Sequence, residues 1–469
     1  MNAYKFLRNG PITLLSYREP YIHLTPKKFY APSCGVVRIF DPLMRINSGI
    51  WIATGITKAD KEVINAKNEI KVPPQEPSYT LKRIWLDKSI ETKNAIFING
   101  VLWPLFHGFS FWRSRMSTIK ELFDVYTSVN VAFAQAAANT SGKYIWCQDL
   151  YNILCPKLMR KKHQKRKFLY FWHVPWPHFS ILRSFAYLKV LVDAMLYNDI
   201  IGFNSISAQR NFLETVKMLK LGKERGSHII SNGRIIKTIA SPSSIDYEKI
   251  RNTAKNVPID LLEKFKAKLR IKDSDIVGLG VDRLDYTKGL EEKIRGIIYF
   301  LKKNPEFQNR FKFIQIAPES RLYLPEYRIL KQKLSHLVHK ANACFNKSRP
   351  IRLINKTLDL FELIVLYRLS NFILITSISD GLNLVTKEFI ASNFDKRGVV
   401  ILSKFTGVAE ELGYDDLLLI DPNSQKSIAA GIRKACLMSP SEKARRMEIL
   451  HKKIKKNNVY HWAAKILDS

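Results

Sequence analysis

The chain contains no pair of cysteines at C-x-x-C spacing. Its five, Cys34, Cys147, Cys155, Cys344 and Cys436, are odd in number and widely scattered. That distribution excludes a disulfide framework and a cysteine zinc site, and leaves the thiols as small buried hydrophobes. Nor is there an unbroken run of about 18 apolar residues, and residues 1–17 lack the basic-then-apolar order of a secretory leader. No signal peptide, no spanning helix and no membrane partner are therefore expected, and the expected location is cytoplasmic. Internal repeats and low-complexity segments do not stand out. Acidic residues are scarce: 41 Asp+Glu face 76 Lys+Arg, a formal charge of +35.

So basic a chain gains affinity for phosphates by releasing their counterions, which brings nucleic acid into consideration. The densest run, KLMRKKHQKRK at residues 157–167, nevertheless lies between two apolar segments as a solvated connector, and HKKIKKNN at 451–458 resembles a polar helix face. No aromatic platform or recognition motif accompanies either run. Anionic small substrates are expected, and no nucleic-acid partner.

What is present is a globular composition: 469 residues, 46% hydrophobic and 11% aromatic, enough for two domains of about 200 residues with full cores. Short apolar runs rich in β-branched and aromatic residues alternate with longer helical patterns, the mark of parallel sheets with crossover helices. Strands are expected at 143–147, 167–173, 199–203 and 228–230, with a helix at 205–219. A second series lies at 275–281, 311–317, 351–354, 372–376, 399–403 and 417–420. A domain boundary near residue 245 separates the two sets. In doubly wound α/β sheets ligands bind beyond the carboxyl ends of the strands, so the residues just after each strand are the ones to interrogate.

After 275–281 comes DRLDYTKGL, which sets Arg283 and Lys288 at a strand-to-helix turn, where backbone N–H groups and the helix dipole already favour an anion. That pattern suits a diphosphate; the alternative is surface cations paired with Asp282 or Asp285. Gly278-Leu279-Gly280 is too short for a dinucleotide fingerprint and reads as tight packing within the strand. Arg321 follows the next strand, to bind a phosphate or cap Glu319. Asp380 and the amides of Gly381, Leu382, Asn383 and Leu384 are placed to receive sugar hydroxyls and phosphate oxygens, with Glu388 about two helical turns on to hold a ribose. Asp380 as an ordinary N-cap and Glu388 as a solvated or paired carboxylate are the plainer alternatives. In the first half, Asp149 ends one strand and His173 the next, inside FWHVPWP, whose prolines forbid helix. Aromatic rings with one Asp and one His suit a hexose; a satisfied core histidine is the other reading.

Taken together these segments resemble the trehalose-6-phosphate synthase family of retaining glycosyltransferases, glycosyltransferase family 20. The resemblance is carried by VDRLDYTKGL (281–290), QIAPESR (315–321), DGLNLVTKE (380–388), LSKFTGVAEEL (402–412), NNVYHWAAKIL (457–467), GVLWPLFH (100–107) and FWHVPWP (171–177). It implies a GT-B fold, two Rossmann-like doubly wound domains facing across a cleft. Residues 1–245 would form the acceptor-binding domain, 246–450 the nucleotide-sugar domain, and 451–469 a terminal helix packing back on the first. By that analogy Arg283, Lys288, His173 and Asp380 are catalytic. The donor is bound by Gly35, Arg283, Lys288, Asp380, Gly381, Leu382, Asn383, Leu384, Glu388 and His173, and the acceptor by Arg18, Trp51, Trp103, Asp149 and Arg321.

No metal and no cofactor are implied. The activity implied is transfer of glucose from UDP-glucose to glucose 6-phosphate. Alternatives are glycerol 3-phosphate as acceptor, ADP-glucose as donor, or a non-catalytic regulatory paralogue; homo-oligomerisation is left open. SYREPYIHL (16–24), SGIWIATG (48–55) and KVPPQEPSYTLKRIWL (71–86) keep the acceptor question open. Departures from the family pattern gather on the acceptor side, at Tyr17, Cys34, Asn94, Leu150 and Tyr151, whereas Ser379 is the notable one on the donor side.

Overall fold

The structure is a computed structural model that describes residues 7, 8, 10–345 and 348–469. It divides into two compact units. One runs to Ser243 and takes up the chain again at Val459–Ser469; the other is Ser244–Asn458.

The first unit contains β1 (Ile12–Leu15), β2 (Ile22–Thr25), β3 (Lys28–Tyr30), β4 (Ile50–Thr54), β5 (Glu69–Val72), β6 (Tyr79–Ile84), β7 (Tyr144–Gln148), β8 (Lys167–Trp172), β9 (Ile200–Phe203), β10 (Lys223–Arg225), β11 (His228–Ser231) and β12 (Arg234–Ala240). Ten of them form one sheet in the order β10-β11-β12-β9-β8-β7-β1-β4-β6-β5, while β2 and β3 pair as a separate hairpin. The interior of the sheet is parallel, and β10, β11 and β5 add antiparallel edges. Order reverses between β1 and β7. β8, KFLYFW, is buried from Phe168 onward because helices cover both faces. The basic run 157–167 spans the end of helix Cys155–Arg160 and the turn into β8; Lys157 pairs with Asp193 and Arg160 with Asp199.

The second unit is built on β13 (Ile276–Val281), β14 (Phe311–Ile316), β15 (Ile351–Ile354), β16 (Phe372–Ile375), β17 (Val399–Ser403) and β18 (Leu418–Ile420). They run in the order β15-β14-β13-β16-β17-β18, every pairing parallel. This is the doubly wound order, with its reversal between β13 and β16. Along β13, Val277, Leu279 and Val281 pack into one hydrophobic layer. On its other face a Cβ at Gly278 would lie 2.3 Å from the Phe372 ring, and one at Gly280 would lie 2.9 Å from the Lys293 ammonium and 2.3 Å from the Gln315 amide oxygen. The Gly-Leu-Gly pattern is thus a packing device.

Helix Pro440–Lys456 belongs to the second unit, with His451 and Ile454 buried and His451 bonded to Tyr247 and to the Asn393 carbonyl. Only the helix Val459–Asp468 packs with the first unit, so residues 451–458 lie in the other unit from the one the terminal-helix expectation assigned them. There Trp462 is fully buried against Phe40, Trp146 and Phe171, and its indole nitrogen donates to the Ser241 carbonyl at 3.0 Å. Among the described residues no helix is long and apolar enough to cross a membrane.

Candidate active site

The sheet reversal of the second unit carries a cluster of charges. Asp285, just past β13, is fully buried; its carboxylate accepts from the Thr287 N–H, from Arg283 Nη2 at 3.0 Å and from Arg321 Nη1 at 3.3 Å. Arg321 also donates to the Tyr327 hydroxyl at 2.7 Å. Arg283 therefore takes the Asp285 partnership raised from sequence, yet its side chain stays 45% exposed. Arg321 shares that carboxylate instead of capping Glu319, which pairs with Lys331. Lys288 pairs with neither Asp282 nor Asp285: its ammonium donates to Asp380 Oδ2 at 2.6 Å, across the reversal at the end of β16. Ser377 Oγ and Asn383 Nδ2 donate to the same oxygen, each at 3.2 Å.

The N-cap of helix Leu384–Ser392 is Asn383, whose side chain accepts from the Thr386 N–H, so Asp380 is not the cap. Glu388 on that helix is fully buried and accepts from the Tyr367 hydroxyl at 3.0 Å. Of the plainer reading, solvated or paired, burial removes the solvated form and leaves the partnered one. Two buried pairs support the strand ends. Lys293 donates to Asp282 at 2.5 Å, and Lys387 to Glu411 at 2.8 Å; desolvation lowers the pKa of both ammonium groups.

Two glycines bring the loops together. Gly289 has φ +60° and a Cβ there would lie 2.1 Å from the Thr376 carbonyl oxygen; one at Gly407 would lie 2.1 Å from that of Gly381. Around Gly407 the loop 380–382 is tied down by Asp380 N–H to the Phe405 carbonyl, Gly407 N–H to that of Asp380, and Val408 N–H to that of Leu382. Gly407 had no assigned role from sequence. The signal was its place in the FTGVA segment, which places a glycine just after a β-strand.

The first unit places two of its candidates, Arg18 and Asp149, at its own reversal. β1 runs into Ser16-Tyr17-Arg18 and neighbouring β7 into Asp149-Leu150-Tyr151. The Tyr17 ring stacks on Tyr151, centroids 4.8 Å apart. Asn94 is fully buried. It lies beside the Tyr17 hydroxyl, whose pKa is pushed up by burial and drawn down in part by a hydrogen bond from Asn94. The three departures Tyr17, Asn94 and Tyr151 therefore form one cluster. Arg18 is exposed. Trp51 is fully buried, its indole nitrogen donating to the Arg18 carbonyl at 3.1 Å, so it holds Arg18's main chain and offers no open face. Trp103 is half-buried with its ring 4.1 Å from that of His107, and Gly35 is exposed at the start of helix Gly35–Asn47.

His173 follows β8, with Nε2 3.2 Å from Gln148 Oε1, and burial pushes its pKa down to about 3. The imidazole is neutral at physiological pH. Three of the candidates, Asp149 (φ 54°), Arg321 (φ 54°) and Asn383 (φ 84°), adopt left-handed backbone. For non-glycine residues that conformation carries strain and gathers at functional sites.

Two doubly wound units, each with polar and charged side chains at its sheet reversal, make up the GT-B architecture. A family model, glycosyltransferase family 20, matches residues 10–469, and the chain belongs to that family. It is 30% identical over 452 residues to an alpha,alpha-trehalose-phosphate synthase [UDP-forming] of Yarrowia lipolytica, covering 93% of each chain. To a probable synthase of that name from Arabidopsis thaliana it is 31% identical over 376 residues, 78% of this chain and 47% of that protein. The chain spans about half the length of that relative and of one from Dictyostelium discoideum. Among solved structures it superposes with TM-score 0.84 on a protein from E. coli bound with UDP-2-fluoro glucose, at 24% identity, covering 98% of this chain and 99% of that one. It superposes equally, also at 24%, on an alpha,alpha-trehalose-phosphate synthase (UDP-forming) from Burkholderia xenovorans in complex with glucose-6-phosphate, covering 98% and 100%.

Proposed function

We propose that the chain is a retaining glucosyltransferase that moves glucose from UDP-glucose to glucose 6-phosphate, forming trehalose 6-phosphate in the cytoplasm. The observation that carries this reading is the Lys288–Asp380 pair across the reversal of the second sheet, with half-exposed Arg283 beside it. Such cations are held ready by carboxylates, and a diphosphate can take over their hydrogen bonds. The family's membership and the names of its relatives support the same reading.

In this scheme the second unit binds the donor. Arg283 and Lys288 take the diphosphate and neutralise the charge that builds as the bond from C1 to the phosphate oxygen breaks. Asp380 and the amides of Gly381, Leu382, Asn383 and Leu384 take the donor glucose. Glu388 takes the ribose, exchanging Tyr367 for a hydroxyl. From the first unit Gly35 approaches the donor, and His173, a neutral imidazole, accepts or donates a hydrogen bond to the donor sugar's primary hydroxyl. Arg18 and Asp149 hold the acceptor, Trp103 lines it, Trp51 steadies Arg18, and Arg321 adds a planar fork suited to phosphate. The acceptor hydroxyl attacks C1 from the face the diphosphate leaves, and its proton passes to the departing phosphate. Configuration is retained without the carboxylate nucleophile of retaining glycosidases.

Glycerol 3-phosphate is the second acceptor to test, because Asn94 stands where a phosphate-binding tyrosine is the family pattern. An acceptor screen read by nucleotide release, without added metal, is the decisive experiment. UDP release with glucose 6-phosphate is expected. No release with either glucose 6-phosphate or glycerol 3-phosphate identifies a non-catalytic paralogue, and strict dependence on a divalent ion contradicts the mechanism.

A further inference from the structure

Four ionisable side chains lie together inside the first unit, and the glucosyl-transfer scheme uses none of them. Arg83 on β6 is 1% exposed, Glu19 1%, Asp60 0% and His23 2%. Arg83 Nε donates to Glu19 Oε2 at 2.7 Å, and its Nη2 lies 2.8 Å from Asp60 Oδ1. The same guanidinium donates to the carbonyls of Tyr21 at 3.0 Å and Asp60 at 3.2 Å. Asp60 accepts from the His23 backbone N–H at 2.9 Å, and its Oδ1 lies 3.1 Å from the His23 ring.

Buried ion clusters lose so much hydration that apolar packing of the same volume often serves stability equally well. What this cluster secures is a particular stretch of main chain. Residues 16–23 run from the end of β1 into the β2–β3 hairpin, and they are gripped at almost every step. The Ser16 N–H donates to the Ile52 carbonyl at 3.0 Å, Thr54 Oγ1 to that of Tyr17 at 2.9 Å, and Trp51 Nε1 to that of Arg18 at 3.1 Å. Arg83 then takes the Glu19 side chain and the Tyr21 carbonyl, and Asp60 takes the His23 N–H. Trp51 and Thr54 come from β4, and Arg83 from its parallel neighbour β6, where it stands opposite Ala53. Within this gripped stretch Arg18 is exposed between half-buried Tyr17 and buried Glu19. A planar guanidinium fits the task because one rigid fork reaches two carboxylates and two carbonyls at once, which a lysine ammonium cannot.

We propose that Arg83 is a positioning residue: through the Glu19 carboxylate and the Tyr21 carbonyl it fixes the main chain that presents Arg18 to the anionic acceptor. This rests on the reading of Arg18 as an acceptor-binding group.

The test uses the full chain and two conservative variants, Glu19→Gln, which keeps the shape, and Arg83→Lys, which keeps the charge but not the fork. Steady-state rates, the thermal midpoint and calorimetric binding of glucose 6-phosphate are measured for each. A displaced Arg18 raises the acceptor KM and the glucose 6-phosphate Kd about tenfold while the UDP-glucose KM stays within about twofold. Unchanged acceptor constants in Glu19→Gln overturn the proposal. So does a parallel rise of both KM values in step with a lowered midpoint, because that marks a cluster that only holds the core. If Arg83→Lys fails to fold, Glu19→Gln decides alone. A wild-type chain that binds glucose 6-phosphate but does not turn over sinks the proposed function while the binding comparison still judges Arg83; one that does not bind it at all sinks both.

Discussion

The two units share one winding scheme and surround its focal point with different side chains. In each, the parallel strand order reverses once, between β1 and β7 in the first and between β13 and β16 in the second, and Arg18, Asp149, Arg283, Lys288 and Asp380 stand just past the carboxyl ends of those strands. At the second reversal the groups are ionic and already partnered: Lys288 with Asp380, and Arg283 and Arg321 on one Asp285. At the first, Arg18 and Asp149 stand beside an aromatic stack, Tyr17 on Tyr151, and the buried amide of Asn94. The comparison teaches that winding locates a site while side chains decide what it holds. Carboxylates that neutralise cations can be exchanged for phosphates, whereas a buried amide and hydroxyl depend on each other's hydrogen bond to offset their desolvation.

Removing the Lys288 ammonium should strike hardest. Lys288→Ala is expected to cost about 2 to 4 kcal/mol of transition-state stabilisation, seen as a fall in kcat measured by UDP release; a variant with wild-type kcat breaks the comparison at its ionic side. Next in size is Gly407→Ala, which drives a methyl against the Gly381 carbonyl and shifts the loop of Asp380. Its UDP-glucose KM should rise about tenfold with the acceptor KM little changed. In the first unit His173 supplies a pH signature. Its folded pKa, about 3, lies below its ordinary 6.5, so as pH falls through 6.5 toward 3 the unfolded chain takes up a proton that the native imidazole refuses. Native stability drops over that window, and His173→Gln should flatten the slope of thermal midpoint against pH there. The smallest effect is expected from Asn94→Leu. Removing the amide that hydrogen-bonds the buried Tyr17 hydroxyl should destabilise the ligand-free protein by about 1 kcal/mol, read as a lowered thermal midpoint, while the acceptor KM rises. A raised midpoint would mean that the pair is not bonded before the acceptor binds.

How much of this could be read beforehand differs between the units for a physical reason. In the second, strands such as FKFIQI and VVILS are buried on both faces, so their apolar runs are continuous, and the observed strands fall within one residue of the ranges read from pattern. In the first, pattern reading finds no strand before residue 143. β1 is only four residues, ITLL, and β6, YTLKRI, alternates buried with partly covered positions and includes a charged residue, Arg83, that is in fact interior. The strand-end positions of Arg283, Lys288, Asp149 and His173 were legible because chain polarity and motif order dictate them. Their partners were not. Asp285 joining Arg283 to Arg321, 36 positions away along the chain, and Gly407 closing on Gly381 depend on which strands become neighbours. The left-handed backbone of Asp149 and Arg321 leaves no trace in composition.

The return of the last helix has a consequence for biosynthesis. Trp462 fills the space lined by Phe40, Trp146 and Phe171, and it emerges from the ribosome only after the whole of Ser244–Asn458 has been translated. The half of the molecule made first is therefore finished last. Until then the aromatic core of the first unit lacks its Trp462.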